Sequence, residues 1–484
     1  MGEPIPAPRS PSTEAPNRPN SARMTQTSAL SPPLSGWSAH ARGLLGLAVP
    51  LIGSNVAGFA IHMTDTVLMG WYDVTALAGM VLASSFYFIV FITGSGFAAA
   101  VMPLVATAAQ EGNAAEVRRV TRMGLWLILG FAALIMPILI FSGPIFASLG
   151  QTPEVAEYAG RYLQIAGWMI VPALVISLLR SFLSALEHTA VLLWSTIGIA
   201  VLNAVLGYAL IFGRWGFPEM GIEGAAWVAL LTNSAGALAL LAYAVLRLPE
   251  YRLLQRFWRP DWAAMGRVFR LGWPIGGQLL AEVGLFAGSA MMVGWVGAIP
   301  LAAHGVALQL ASLTFMLHLG LSQAVTVRTG QALGRGDREG MRQGALVGIA
   351  LSAGFALLAS AVFLLWPEAL LSLFVDPADP ARPQVIEVGV TLLALAAVFQ
   401  LFDGAQVLAI GLLRGIQDTA VPMIWAAVSY WAIGLPTAYV LGFVLGGEEI
   451  GVWLGLVISL VCASGLLMAR FWRRAARPLT GLHA

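Results

Sequence analysis

PLIGSNVAGFAIHMTDTVLMGWYDVTALA, residues 50–78, and PIGGQLLAEVGLFAGSAMMVGWVGAIPLA, residues 274–302, are two copies of one segment, and their comparison decides the fold. Shifting the chain by 224 places Pro50 on Pro274, Gly53 on Gly277, Gly70-Trp71 on Gly294-Trp295 and Leu77-Ala78 on Leu301-Ala302. The register continues without a gap, carrying Phe91 to Phe315, Gly96 to Gly320, Gly112 to Gly336, Gly124 to Gly348 and Gly130-Phe131-Ala132 to Gly354-Phe355-Ala356. Apolar residues match often by chance, but Pro, Gly and Trp do not agree by chance over such a length. The chain is a duplicated unit.

The composition gives that unit its solvent. Hydrophobic residues make up 58% of the 484 and charged residues only 10%, with a mean hydropathy of +0.80. A soluble domain carries about a quarter charged residues. Blocks of roughly 20 to 30 nearly uncharged residues recur, the length a helix needs to cross about 30 Å of hydrocarbon. Alternating ten-residue strands are absent, which argues against a barrel. Cuts at charge clusters and Pro/Gly breaks place twelve helices near 43–70, 77–105, 117–143, 156–185, 190–213, 221–248, 266–295, 301–331, 339–365, 384–413, 419–445 and 449–473. The expected fold class is an all-α polytopic membrane protein of two parallel six-helix lobes. Six is even, so the second copy starts on the same side as the first, and the two are related by an axis along the membrane normal, as in secondary transporters.

The charges orient this layout. All 26 basic residues are arginine, and only Arg161, Arg214 and Arg382 fall on the side away from the termini. By the positive-inside rule both termini are cytoplasmic, which points to a multi-pass protein of the cell (inner) membrane. The reading by segment is a disordered cytoplasmic tail over 1–42, a first lobe over 43–248, a cytoplasmic linker over 249–265, a second lobe over 266–473 and a cytoplasmic tail over 474–484. The Pro- and Ser-rich first forty residues cannot bury a core and lack the apolar core of a cleavable signal peptide. The single cysteine, Cys462, excludes an intrachain disulfide framework and reads as a packing residue.

Three carboxylates stand well inside spans. Asp65 is the only charged residue between Arg42 and Asp73, Glu282 the only one between Arg270 and Arg328, and Asp403 the only one between Glu387 and Arg414. Such a group costs several kcal/mol in hydrocarbon and marks a functional site by default. Glu282 lies twelve residues from Arg270 and Asp403 eleven from Arg414, so both sit at a similar depth and could face one cavity. Asp65 is twenty-three residues from Arg42 and defines a separate site. In the repeat register Asp65 meets Ser289 and Glu282 meets Gly58, so neither acid belongs to the duplicated scaffold. Gln278 is one turn before Glu282, Gln400 and Gln406 flank Asp403 by three residues, and His62 precedes Asp65 by three, all candidate partners for the acids. His304 and His318 share a helix fourteen residues apart, a spacing read as polar packing rather than a metal site.

At these residues the chain resembles the multidrug and toxic compound extrusion (MATE) transporters, and within them the NorM-like branch. The resemblance covers about 43–475 and rests on MTDTVLMG (63–70), FRLGWPIGGQLLAEVGLFA (269–287), AAHGVALQLASLTFM (302–316), FQLFDGAQVLAIGLLRGIQDT (399–419) and SYWAIGLPTAYVLG (429–442). It implies that Asp65 is the family's first-lobe aspartate, that Glu282 and Asp403 are the second-lobe acidic pair, and that Asn203 accompanies Asp65. It also implies export of diverse cationic and aromatic compounds in exchange for H⁺ or Na⁺. Two departures bear on the ion. Relatives often carry an acid or amide where this chain has Gly207, and can carry tyrosine where it has Phe399. Both changes remove oxygen ligands, which a hard cation such as Na⁺ prefers, and they tilt the reading toward H⁺.

The expected mechanism is antiport by competition, in which a proton or ion neutralises a carboxylate that otherwise attracts a cationic drug. Substrate breadth calls for adaptable walls, for which Phe86, Tyr87, Phe286, Met291, Phe315 and Met316 are candidates. The expected partners are small organic cations and the lipid bilayer, with no nucleic acid, no cofactor beyond the coupling ion, no metal, and a monomeric state. The alternative is a flippase for lipid-linked saccharides. Its pyrophosphate would want arginine or lysine in the cavity, and arginines such as Arg180 read as span-end residues. A membrane enzyme is disfavoured, since no His-Glu-x-x-His, Gly-x-Ser-x-Gly or Gly-rich phosphate loop occurs.

Overall fold

The computed structural model describes residues 2, 36–148, 150–377 and 379–476. Among these it has no strand and twelve helices long and apolar enough to cross a membrane. They are α1 (Trp37–Tyr72), α2 (Val74–Gln110), α3 (Ala114–Ile140), α4 (Pro153–Ala185), α5 (Thr189–Ile211), α6 (Gly221–Arg247), α7 (Trp262–Val296), α8 (Ala298–Arg335), α9 (Arg338–Leu365), α10 (Arg382–Gly415), α11 (Ala420–Val444) and α12 (Glu448–Ala475). All twelve expected spans are present. The tails over 3–35 and 477–484 lie outside the described residues.

The duplication is visible in the lengths. Helices α1 and α2 have 36 and 37 residues and their repeat partners α7 and α8 have 35 and 38, about 54 Å each at 1.5 Å per residue. Each exceeds the hydrocarbon thickness and continues past it. Residues 37–42, read as tail, are the first turns of α1, because no proline or glycine after Gly36 interrupts the helix before Gly43. Likewise α7 begins at Trp262, inside the expected linker, because Asp261 caps it by accepting from the Ala264 amide at 3.1 Å. The linker backbone is pinned to α3, where Arg122 donates to the Arg256 carbonyl at 3.0 Å and Trp126 to the Phe257 carbonyl at 3.0 Å.

The repeat also reaches into turn chemistry. Gly112 and Gly336, 224 apart, end α2 and α8 at φ +70 and +68, the left-handed conformation that glycine adopts without strain. Each is followed by its helix cap: Asn113 accepts from the Glu116 amide at 3.0 Å and Asp337 from the Gly340 amide at 2.8 Å. Two helices depart from regularity. Helix α4 narrows to a 3₁₀ turn at Gly167–Met169, and α11 widens to π-helix at Val428–Gly434 and Val440–Val444. Such π segments re-aim side chains and gather at functional sites.

The halves meet through α1 and α2 on one side and α7 and α8 on the other. The contacts are close because glycines leave no Cβ. A Cβ on Gly96 would sit 2.4 Å from the Gly276 amide nitrogen, one on Gly320 2.5 Å from Ile52, and one on Gly334 2.6 Å from the Thr107 carbonyl. All lie toward the arginine-rich face, where α2 and α8 end and α1 and α7 begin. There the buried apolar core runs continuously across both halves, while a second buried cluster, including Leu285, Phe399, Tyr430 and Trp453, belongs to α7–α12 alone.

Candidate functional site

Helix α1 carries both a cleft wall and an acid. Val56, Phe59, Ala60, Met63, Thr64, Val67, Leu68 and Trp71 share one face by their spacing of three and four, and with Leu313 of α8 they line an open cleft of about 480 Å³. The cleft sits beyond the Ile52–Gly320 contact, on the side away from the arginine-rich face. Between the halves the molecule is therefore open on one side and closed on the other.

Asp65 turns from that wall into the first lobe and is partly buried. The Asn203 side chain of α5 meets it, and Tyr162 of α4 faces it from beside Ser84 of α2. Asn203 is 1% exposed, and its carbonyl oxygen is buried with no hydrogen-bond partner. A carboxylate next to an unsatisfied amide oxygen is a ready acceptor pair for a proton or a hard cation. At Gly207 a Cβ would lie 2.7 Å from Leu68 Cδ1, the movable end of a side chain that packs against this face of α5. His62 is exposed, and its backbone carbonyl accepts from Thr66.

In the second lobe, Glu282 of α7 and Asp403 of α10 are electrostatic neighbours, as their depths suggested. Asp403 is 2% exposed. Arg414, eleven residues on along α10, donates to Gln278 Oε1 at 3.4 Å and stands beside Glu282. Tyr430, in the first π segment of α11, is fully buried and faces Glu282, Asp403 and Arg414. Gln400 donates to the Ala311 carbonyl at 3.2 Å and so ties α10 to α8. Both side-chain polar atoms of Gln406 are buried and unpartnered, as are the Gln278 amide nitrogen and the Tyr430 hydroxyl. These buried groups supply donors and acceptors around the acid pair that a proton, a water or an ion can use.

Sequence reasoning missed Tyr162, Ser84, Arg414 and Tyr430. Arg414 marked a span boundary, yet it lies within α10 and its long stem carries the guanidinium inward. Arg180 likewise lies within α4 and donates to Asn55 Oδ1 of α1 at 2.7 Å. Both arginines stand toward the ends of their helices, Arg414 in the last turn of α10, and their guanidinium groups reach amides on a neighbouring helix.

The remaining residues pack within the lobes or face outward. Phe86 packs edge-on against Phe146, and Tyr87 stacks on Phe91. Phe286 packs on Phe399, which packs on Trp453, whose ring N–H donates to His304 at 3.0 Å. His318 pairs with Ser352 at 3.1 Å. Met291 is 61% exposed, and Phe315 and Met316 are partly buried on α8. None of Phe86, Tyr87, Phe286, Met291, Phe315 or Met316 lines the α1–α8 cleft.

A family model described as MatE matches residues 50–209 and 274–440. "Probable multidrug resistance protein NorM" of Rhizobium meliloti (strain 1021) is 46% identical over 446 residues, 92% of this chain and 95% of that protein. Its counterpart in Agrobacterium fabrum is 44% identical over 90% of this chain and 94% of its own length. Among solved structures, "Crystal structure of eukaryotic MATE transporter AtDTX14" superposes with a TM-score of 0.81 at 18% identity, covering 93% of this chain and all of that one. "Outward-facing conformation of a multidrug resistance MATE family transporter of the MOP superfamily" superposes equally well at 0.81, also at 18% identity, over 92% of this chain and 97% of that one.

Proposed function

The chain belongs to the MATE family, and from that premise we propose how it works as a multidrug efflux transporter: it exchanges cationic and aromatic organic compounds for H⁺ or Na⁺ by alternating access of its two lobes. The observation that carries the reading is a cleft open on one side of tightly closed glycine contacts, with Asp65 partly buried in the first lobe and Asp403 buried in the second. The arginine-rich face is cytoplasmic by the positive-inside rule, which makes this the outward-open state of a cell (inner) membrane protein with both termini inside. The transporter acts as a monomer in the bilayer.

Asp65 in the first lobe and Glu282 with Asp403 in the second are the coupling groups. An ionised carboxylate in a desolvated site attracts a drug cation, and an arriving proton or ion cancels that attraction. The ion then shifts the lobe equilibrium through its differential affinity for the two states. One charge entering down 100 mV supplies about 2.3 kcal/mol, which the outward passage of a monocation consumes, so one-for-one exchange is electroneutral and is driven by the pH or Na⁺ gradient. Gly207 backed by Leu68, and Phe399 packed among aromatics, leave few oxygen ligands for Na⁺, which favours H⁺. The lipid-linked saccharide flippase is not favoured. The NorM relatives carry a multidrug name, and Arg180 and Arg414 are each held by an amide of their own lobe.

The test uses proteoliposomes loaded with a fluorescent cationic dye, with Na⁺ and pH gradients imposed separately. A pH gradient is expected to drive dye movement, and Asp65→Asn and Glu282→Gln to abolish it. Full ion-driven transport in both variants would overturn the coupling assignment.

A further inference from the structure

The two lobes contain the same device at different distances from their acids. In each, an arginine from the fourth helix of the lobe reaches an amide on the first: Arg180 to Asn55 at 2.7 Å, and Arg414 to Gln278 at 3.4 Å. The amides are one residue apart in the repeat register, since Asn55 falls on Leu279. The acids are not equivalent. Asp65 is ten residues beyond Asn55, about 15 Å along the helix, whereas Glu282 is four residues beyond Gln278, about 6 Å. Arg180 is therefore remote from Asp65, while Arg414 stands beside Glu282.

Charge in this pocket is countable. Arg414 of α10 stands beside Glu282 of α7, Glu282 is next to Asp403 of α10, and Tyr430 of α11 faces all three. With both acids ionised and the phenol neutral, they sum to a single negative charge. Asp65, without a cation beside it, also presents one. The guanidinium is not saturated, because Arg414 Nε is buried and unpartnered and the hydrogen bond to Gln278 is long at 3.4 Å. It is thus close enough to offset a carboxylate without being locked to it.

We propose that Arg414 is a built-in counter-cation of the second-lobe acid pair, so that Glu282 and Asp403 together accept one monovalent positive charge per cycle rather than two. This rests on the acid pair being the coupling site, and it makes that site selective for the charge of its ligand. A monocation or one proton leaves the pocket neutral, while a dication leaves a net positive charge in a low-dielectric site. The planar guanidinium is always charged, so the offset holds at any physiological pH.

The test measures binding of tetraphenylphosphonium, a monocation, and methyl viologen, a dication, to the purified full-length transporter in proteoliposomes. The wild type is expected to prefer the monocation. Arg414→Gln should shift the ratio toward the dication by about tenfold or more, and Arg414→Lys, which keeps the charge, should leave it near wild type. Adding Asp403→Asn to Arg414→Gln returns the pocket to one negative charge and should restore the monocation preference. Such a rescue is not the signature of a packing residue. An unchanged ratio in Arg414→Gln, while Glu282→Gln abolishes monocation binding, overturns the counter-cation role alone. Unchanged binding in Glu282→Gln overturns the acid-pair reading and the proposal with it. Should Arg414→Gln not fold, the comparison of Arg414→Lys with the folded double variant decides: loss of the monocation preference in either refutes the charge count.

Discussion

Opening toward the arginine-rich face must break one half-buried ion pair between the lobes. Glu187, just past the end of α4, accepts from Arg328 of α8 at 3.0 Å and from Gln331 at 2.9 Å, with side chains 18% and 12% exposed for the pair. Arg328 also donates to the Gly43 carbonyl at the start of α1. The duplicated end of α10 places Gln417 in the corresponding position: both residues adopt left-handed backbone, φ 65 and 61, and Gln417 donates to Thr107, the repeat partner of Gln331. The Glu187 contact is thus charged and the Gln417 contact neutral, and on the latter side the ion pairs Arg119–Asp261 and Arg267–Glu116 join α3 to the start of α7. Glu187→Gln keeps the shape and removes the charge. A charge-assisted bond at this burial contributes about 2 kcal/mol, so the variant should favour the inward-open state roughly thirty-fold. If that state holds about 1% of the wild type, it should rise to about a quarter. The assay is a spin-label distance measurement between Glu111→Cys and Arg338→Cys, both exposed on that face, in a Cys462→Ser background. A new longer distance is expected. An unchanged distribution together with unchanged transport refutes the clasp.

Other outcomes follow from the same contacts. Gly320→Val drives a side chain into Ile52 and should separate α1 from α8 at a cost of about 1–3 kcal/mol, seen as a lower melting temperature and as the same long spin-label distance. Tyr162→Phe removes the hydroxyl facing Asp65 and should lower dye export several-fold at unchanged expression; export equal to wild type would separate Tyr162 from the site. Arg119 holds the Asp261 carboxyl below the usual carboxylate range by a hydrogen bond across the lobes. A depressed folded pKa stabilises above the unfolded value and is lost as pH falls through the folded one. That tie should therefore be intact at neutral pH and fail only in strong acid, and Asp261→Asn should flatten the acid limb of a thermal stability profile.

The fold was legible because bilayer physics leaves few choices. Uncharged runs of span length and a gapless 224-residue register fix twelve helices, two copies and their parallel sense, and even the Gly112/Gly336 turns follow that register. The boundaries were less legible, since helices α1, α2, α7 and α8 run past the hydrocarbon on cap residues that hydropathy does not weigh. The three acids stood out by charge alone in apolar sequence. Their surroundings did not, because Tyr162, Tyr430 and Arg414 come from other helices or from eleven residues away, and their hydropathy resembles that of many interfacial residues. Sequence by itself thus determined the helices, their number and symmetry, and the location of buried negative charge. Tertiary structure decided which face of α1 lines the cleft, that glycine contacts close one side, and that Arg414 reaches Glu282 while Arg180 falls short of Asp65. The reason is distance: a span is set by local composition, whereas electrostatic compensation depends on the depth and rotation at which separate helices pack.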